Sequence, residues 1–255
     1  MSTITRIDHG QPITLHYETI GTGEPIVFHH GNGNCLRDWH TLGYVKALAT
    51  DFQLILIDSR GYGESSKPHD PKAYSLKSRA DDTIAVLDAL NIEQTHCFGG
   101  SVGASVCLML ARYHPERCKS YIFGTPYFIQ FDAPIRQALL AGPEAFLAHL
   151  ETLLGKPFDN LPIRKTMLAN DTQALWAANS SEWFDYRDYA QYVTAPSLIY
   201  VGSKEPFVPE LIAFSQQLPQ CEIQILPGVE HVQAYWDGAL VAPLIRAFVD
   251  QNTRL

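Results

Sequence analysis

A parallel α/β sheet covered by helices on both faces, with a helical insertion late in the chain, is the fold class predicted by this 255-residue sequence. Three observations predict it. Short apolar runs of strand length alternate with segments of helical periodicity through the first half of the chain. That alternation stops after Gly124 and resumes at Ser197. Finally, Gly99-Gly100-Ser101-Val102-Gly103 joins a short apolar run to a long one, so a serine falls on a strand-to-helix turn.

The elements follow in order. Thr3–Asp8 and Ile13–Glu18 alternate apolar and polar residues and predict an antiparallel hairpin exposed on one face. After the Gly21-Thr22-Gly23 turn, Pro25–His30 is a short, mostly apolar strand. Asp38–Thr50 predicts a helix with Trp39, Leu42, Val45, Leu48 and Ala49 on one side, and Phe52–Asp58 a buried strand. Ser75 caps a helix in which Leu76, Ala80, Ile84, Leu87 and Leu90 recur at steps of three or four. Thr95–Phe98 is the strand before Ser101; the helix after it, Val102–Tyr113, stops at Pro115. Lys119–Phe123 is a further strand.

From Thr125 to Tyr192 the sequence shows no buried strand. Pro134, Pro143, Pro157 and Pro162 punctuate a helical stretch that carries Tyr127, Phe128, Phe131, Phe146, Phe158, Trp176, Trp183, Phe184, Tyr186, Tyr189 and Tyr192. This divides the chain into an α/β core, residues 1–124 and 193–255, and an inserted helical cap, residues 125–192. Most of these aromatics are expected to pack the cap onto the sheet, and the remainder to line a pocket beneath it. Trp39, Tyr127 and Trp183 are the candidates for substrate contact. The α/β alternation then returns with the strand Ser197–Val201, a helix from about Pro209 to Leu218, the strand Glu222–Leu226 and a last helix from about Trp236 to Val249.

Composition bounds the function. Hydrophobic content of 46% with 18% charged residues describes a foldable domain rather than a disordered chain. A net charge of −8 argues against nucleic acid or an anionic membrane as partner. No apolar run approaches the roughly 20 residues of a membrane span, and Met1–Arg6 has no signal-peptide pattern. The five cysteines form no C-x-x-C pair, and Cys97, Cys107 and Cys118 fall in apolar element cores. A reduced, cytoplasmic protein is expected. Cys35, in a polar glycine-rich loop, is the exception to follow.

The chemistry centres on Ser101. A serine hydroxyl is a poor nucleophile until a base takes its proton, and the base must be oriented by a carboxylate. In parallel sheets such groups sit on loops after the C-terminal ends of strands. Glu205 follows the strand ending at Val201, and His231 follows the strand ending at Leu226. The loop after Phe123 reads Gly124-Thr125-Pro126 and has no carboxylate; Asp185 and Asp188 lie in the cap; Asp237 opens the last helix, where capping explains it. An oxyanion needs two N–H donors. Val102, next to the nucleophile at a helix start, is one, and Asn32 in Gly31-Asn32-Gly33-Asn34 is the candidate for the other.

Together these residues resemble the α/β-hydrolase superfamily, in its serine-nucleophile branch with a helical cap. His30-Gly31 with Trp39 downstream is similar to the family's oxyanion-loop signature, and Asp58–Ser65 to its D-x-R-G-x-G-x-S turn. Gly99–Gly103 is similar to the nucleophile elbow, Gly202–Glu205 to the acid loop and Gly228–His231 to the histidine loop. The resemblance implies an eight-stranded, mostly parallel sheet with the cap after the sixth strand. It also implies a structural role for Asp58–Ser65 and the triad Ser101, Glu205 and His231. Glu205 departs from the commoner aspartate, and its extra methylene requires the loop to sit further back. A serine at the elbow separates the chain from the haloalkane dehalogenase and epoxide hydrolase branches, which use aspartate there.

The leading expectation is a cofactor-independent, metal-free serine hydrolase of a small ester, lactone or thioester. A second is carbon–carbon bond hydrolysis or perhydrolysis on the same triad; Arg136, Arg164, Lys165 and Arg187 are candidates to bind a substrate carboxylate from the cap, with a solvated helix face as the alternative for most of them. A third, of another class, is a small-ligand receptor with residual hydrolysis. Oligomeric state is not legible in the sequence.

Overall fold

The structure, a computed structural model, describes residues 2–128, 132–155, 157–159, 161, 163–182 and 184–253. Phe131 and Trp183, two of the aromatics singled out above, lie outside the described residues.

Eight strands form one sheet: β1 Ser2–Asp8, β2 Gln11–Ile20, β3 Glu24–His29, β4 Phe52–Ile57, β5 Thr95–Gly100, β6 Cys118–Gly124, β7 Ser197–Gly202 and β8 Cys221–Leu226. The spatial order is β1-β2-β4-β3-β5-β6-β7-β8. The β1–β2 and β2–β4 pairs are antiparallel, and every pair from β4 to β8 is parallel. The parallel strands read as continuous apolar runs because both faces are covered. Alternation inside each run decides which face a side chain takes. Val27, Ile55, Cys97, Phe123 and Ile199 share one core with the helices on their side, and Ile26, Leu54, Phe98, Ile122 and Leu198 share the other.

The helices are α1 Asp38–Thr41, α2 Tyr44–Leu48, α3 Leu76–Ala89, α4 Ala104–Tyr113, α5 Ala133–Ala141, α6 Pro143–Leu154, α7 Arg164–Leu168, α8 Thr172–Asn179, α9 Val208–Ser215, α10 His231–Trp236 and α11 Gly238–Thr253. Between β6 and β7 the described elements are α5 to α8 and a 3-10 turn over Tyr186–Tyr192. This is the inserted helical region expected there. Ser75 caps α3 by accepting from the Ser78 N–H, and Asp237 caps α11 by accepting from the Leu240 N–H. No helix among the described residues is long and apolar enough to cross a membrane.

One predicted helix is corrected and one is added. The single helix over Asp38–Thr50 is two short ones, broken at Gly43, whose φ of +84° is left-handed and ends α1. The Leu42 carbonyl released by that break accepts from the Gly238 N–H at 2.9 Å, which docks the start of α11. The predicted last helix is α11, which runs on to Thr253; a short helix not predicted, α10, precedes it, headed by His231 and separated from α11 by Asp237.

Several polar groups are buried within this frame. His96 Nδ1 lies 2.7 Å from Ser120 Oγ on the neighbouring strand. Burial pulls the His29 imidazole down to about 3 and that of His96 to about 4, against 6.5 for an ordinary histidine. Between pH 6.5 and about 4 the unfolded chain therefore takes up protons that the native state refuses. Their stabilising contribution is complete above 6.5 and declines as the pH falls toward the native value. Calorimetry should show Tm dropping as the pH is lowered from about 7 to about 4.5, with a shallower drop for His96→Gln. Parallel curves for the two proteins would refute the burial argument for His96.

Candidate active site

Ser101 stands where β5 ends, on a 3-10 turn over Ser101–Gly103 that leads into α4. Its φ is +52°, a left-handed value that few residues with a side chain adopt. The neighbours must be glycine because the backbones nearly touch. A Cβ on Gly103 would lie 2.1 Å from the His29 carbonyl oxygen, and one on Gly99 would lie 2.4 Å from the Gly103 carbonyl oxygen. The strand-turn-helix reading of the G-x-S-x-G run is thus explained sterically.

Three strand ends bring the other candidates to this point. Glu205 follows β7 and is buried, and its N–H donates to the Gly202 carbonyl at 3.1 Å. His231 is the first residue of α10, after β8. The two loops are laced together: the Lys204 N–H donates to the Val229 carbonyl and the Gly228 N–H to Ser203 Oγ. A Cβ at Gly202 would lie 2.4 Å from the Val229 carbonyl oxygen. Lys204 pairs at the surface with Glu230, at 3.4 Å, and not with its neighbour Glu205. The result is a continuous chain: Ser101 Oγ lies 3.0 Å from His231 Nε2, and His231 Nδ1 lies 2.9 Å from Glu205 Oε1. Glutamate therefore reaches the imidazole despite its extra methylene.

The Gly31–Asn34 loop is strapped down on several sides. The Gly31 N–H donates to Tyr235 Oη at 2.5 Å, the Leu36 N–H to Asp58 Oδ1 at 2.7 Å, and the Cys35 N–H to Asp38 Oδ2 at 3.0 Å. The Asn32 side-chain oxygen accepts from Tyr62 Oη at 2.6 Å. Asp58 also accepts from the Glu64 N–H and bonds His16 Nδ1, so the Asp58–Ser65 turn is a brace between β2, β4 and this loop. Cys35 is buried, and burial, reinforced by Asp38 and Asp58, pushes its thiol up to about 12. A protonated, enclosed thiol is not a nucleophile.

Ser101, Glu205, His231, Asn32, Val102 and Tyr127 all line one cavity of about 250 Å³. Its other walls are mostly apolar: Ile135, Leu150, Leu153, Leu154, Phe158 and Met167 from the inserted region, and Phe207, Val232, Tyr235 and Trp236 from the core. No lysine or arginine is among the described lining residues. Arg164 is engaged by Asp159 and Arg187 by Asp185. Neither Arg136 nor Lys165 lines the cavity.

The chain's relatives agree with this architecture. The model of the α/β hydrolase fold family matches residues 24–171, more than half of the chain. The chain belongs to the α/β-hydrolase fold family. Among solved structures, a thermophilic esterase from Thermogutta terrifontis is similar over 99% of both chains, with a TM-score of 0.83 and 20% identity. The enol-lactonase from Burkholderia xenovorans LB400 is similar over 97% of this chain and 100% of its own, with a TM-score of 0.81 and 19% identity. In sequence, the 2-hydroxy-6-oxononadienedioate/2-hydroxy-6-oxononatrienedioate hydrolase of Paraburkholderia phymatum is 26% identical over a 264-residue alignment, covering 91% of this chain and 89% of the relative. Family and fold are consistent with hydrolysis of a small-molecule ester or lactone.

Two expected substrate contacts need comment. Trp39 does not line the cavity; it is buried among Phe28, Tyr44, Phe98 and Tyr235, because its side of α1 faces the sheet. Trp183 lies outside the described residues. Tyr235 and Thr125 were missed. Tyr235 is four residues after His231 and so shares its side of the helix, a signal hidden by starting the last helix at Trp236. Thr125, fully buried, places Oγ1 3.3 Å from His231 Nδ1.

Steric closure at the elbow gives a test. Gly103→Ala should cost about 1–3 kcal/mol, as overpacking in a filled interior does. Tm should fall by roughly 2–4 °C per kcal/mol for a chain of this length. An unchanged Tm would contradict the close approach of Gly103 to His29.

Proposed function

We propose that this protein is a serine hydrolase of small, uncharged carboxylic esters, lactones or thioesters, working through an acyl-enzyme on Ser101. The observation that carries the reading is the alignment of Ser101, His231 and Glu205 in one mostly apolar cavity, with Ser101 Oγ 3.0 Å from His231 Nε2 and His231 Nδ1 2.9 Å from Glu205 Oε1. Ser101 Oγ attacks the carbonyl carbon while His231 Nε2 takes its proton. Glu205 holds the imidazole by Nδ1 and stabilises its charged form. The oxyanion falls to the backbone N–H groups of Val102 and Asn32; the Asn32 side-chain oxygen is already an acceptor for Tyr62. His231 then passes the proton to the leaving oxygen or sulfur and activates the water that releases the acid.

The cavity wall favours a neutral substrate. An anionic group buried there would have no cationic partner among the described lining residues, and an unpaired buried charge is costly. The carboxylate-binding role considered for the cap arginines, and with it a carboxylate-bearing substrate for carbon–carbon cleavage, loses its support on the same ground.

The test is hydrolysis of p-nitrophenyl esters from acetate to decanoate by the wild type and Ser101→Ala in parallel. Turnover should peak at one chain length and vanish in the variant; equal rates would refute the assignment. Glu205→Gln should retain the fold and lower kcat by about 10³–10⁴, as loss of the orienting carboxylate does in other triads. Stoichiometric, single-turnover hydrolysis with a ligand-dependent rise in Tm would favour the receptor reading instead.

A further inference from the structure

The end of β6 carries a residue that the proposed reaction has not used. Thr125 is fully buried and has a φ of +40°. For a β-branched residue that backbone is a true outlier, and such strain persists only where the surroundings impose it. The imposing contact is short: the Thr125 N–H donates to the Tyr200 carbonyl at 2.6 Å. Tyr200 belongs to β7, the strand whose end presents Glu205. The same bond therefore ties the end of β6 to the strand that presents the acid.

The strained backbone aims a hydroxyl at the relay. Thr125 Oγ1 lies 3.5 Å from Glu205 Oε1 and 3.3 Å from His231 Nδ1. The hydroxyl donates to the carboxylate while its oxygen faces Nδ1, so it touches both members of the pair. Such contacts are often long in the unliganded enzyme and tighten as charge develops. Glutamate has one more rotatable bond than aspartate, so its carboxylate needs a further restraint to stay on the imidazole. Thr125 is not among the residues lining the cavity, so its hydroxyl has no route to the substrate itself.

We propose that Thr125 is a positioning residue, whose hydroxyl holds the Glu205 carboxylate on His231. The proposal rests on the reading of Ser101, His231 and Glu205 as the relay. Its signature is a loss in kcat without a loss in binding.

The experiment compares the wild type, Thr125→Ala and Thr125→Ser on the best p-nitrophenyl ester. It also measures the rate at which a fluorophosphonate probe labels each protein. In that reaction Ser101 Oγ bonds to phosphorus, fluoride leaves and His231 takes the proton. Thr125→Ala should lose about tenfold or more in kcat and in labelling rate, the scale of one hydrogen bond to a charged group. KM should stay within about twofold, and Thr125→Ser should recover most of both rates. If Thr125→Ala does not fold, Thr125→Gly, which also lacks the hydroxyl but accepts the positive φ, takes its place. Equal rates in the presence and absence of the hydroxyl would overturn the proposal while leaving the relay intact. A wild type inert to both ester and probe would overturn the relay, and the role of Thr125 with it.

Discussion

The close approach at Gly103 is the constraint on which the rest of the site depends. Because Gly103 packs against the His29 carbonyl, the turn carrying Ser101 is pressed onto the end of β3. The loop that begins at His30 therefore starts from a point fixed by the Ser101 turn itself. The Tyr127 N–H donates to the Ser101 carbonyl at 3.2 Å, so the first residues of the inserted region are referenced to the same turn. Ser101, glycine-rich loop and cap entrance share one origin. The strain at Ser101, of order 1–3 kcal/mol for such a backbone, is held by these contacts.

Buried carboxylates do for the glycine-rich loop what side-chain packing does elsewhere. Residues Gly31 to Asn34 have few side-chain atoms with which to pack, so the loop is pinned by hydrogen bonds. Asp58 takes the Leu36 N–H, and Asp38 takes the Cys35 N–H and the Asn34 amide. Thr166 Oγ1, from α7 of the cap, donates to the other oxygen of Asp38, and Asn170 donates to the Gly33 carbonyl. These bonds couple cap to loop. Charge-assisted hydrogen bonds of this kind are roughly twice as strong as neutral ones, and they hold a loop with few side-chain contacts of its own in one conformation.

What was legible in the sequence depended on how local the cause was. The order of strands and the loops bearing Ser101, Glu205 and His231 follow from apolar runs and the turns that end them, and both are written within a few residues. The break at Gly43 was not legible. A single glycine in a helical pattern is usually tolerated, and what makes this one end α1 is the docking of Gly238, nearly two hundred residues away. Trp39 was misread for a similar reason: a tryptophan beside a candidate oxyanion loop suggests a pocket, but its side of α1 meets the sheet. The cavity walls contributed by Leu150, Leu153, Leu154 and Met167 were out of reach, because periodicity assigns a helix face without saying what opposes it. Thr125 was not legible because the loop after β6 has no carboxylate, and one hydroxyl among many in the sequence carries no signal of what it faces.

The cap also sets what kind of selectivity this site can have. With no lysine or arginine among the described lining residues, recognition of the non-reacting part of a substrate under the proposed reading reduces to apolar area and shape. Each methylene buried is worth ~0.8 kcal/mol, or about fourfold in kcat/KM when the contact is kept in the transition state. Leu153 both lines the cavity and is 53% exposed, which puts the mouth beside the C-terminal half of α6. An arm attached at Ser101 gains contact with the apolar wall while the cavity holds it, and beyond the mouth further length meets solvent. The chain-length profile is therefore a ruler for the cavity: its rising part counts the wall that the arm touches, and its peak marks the longest arm the cavity holds.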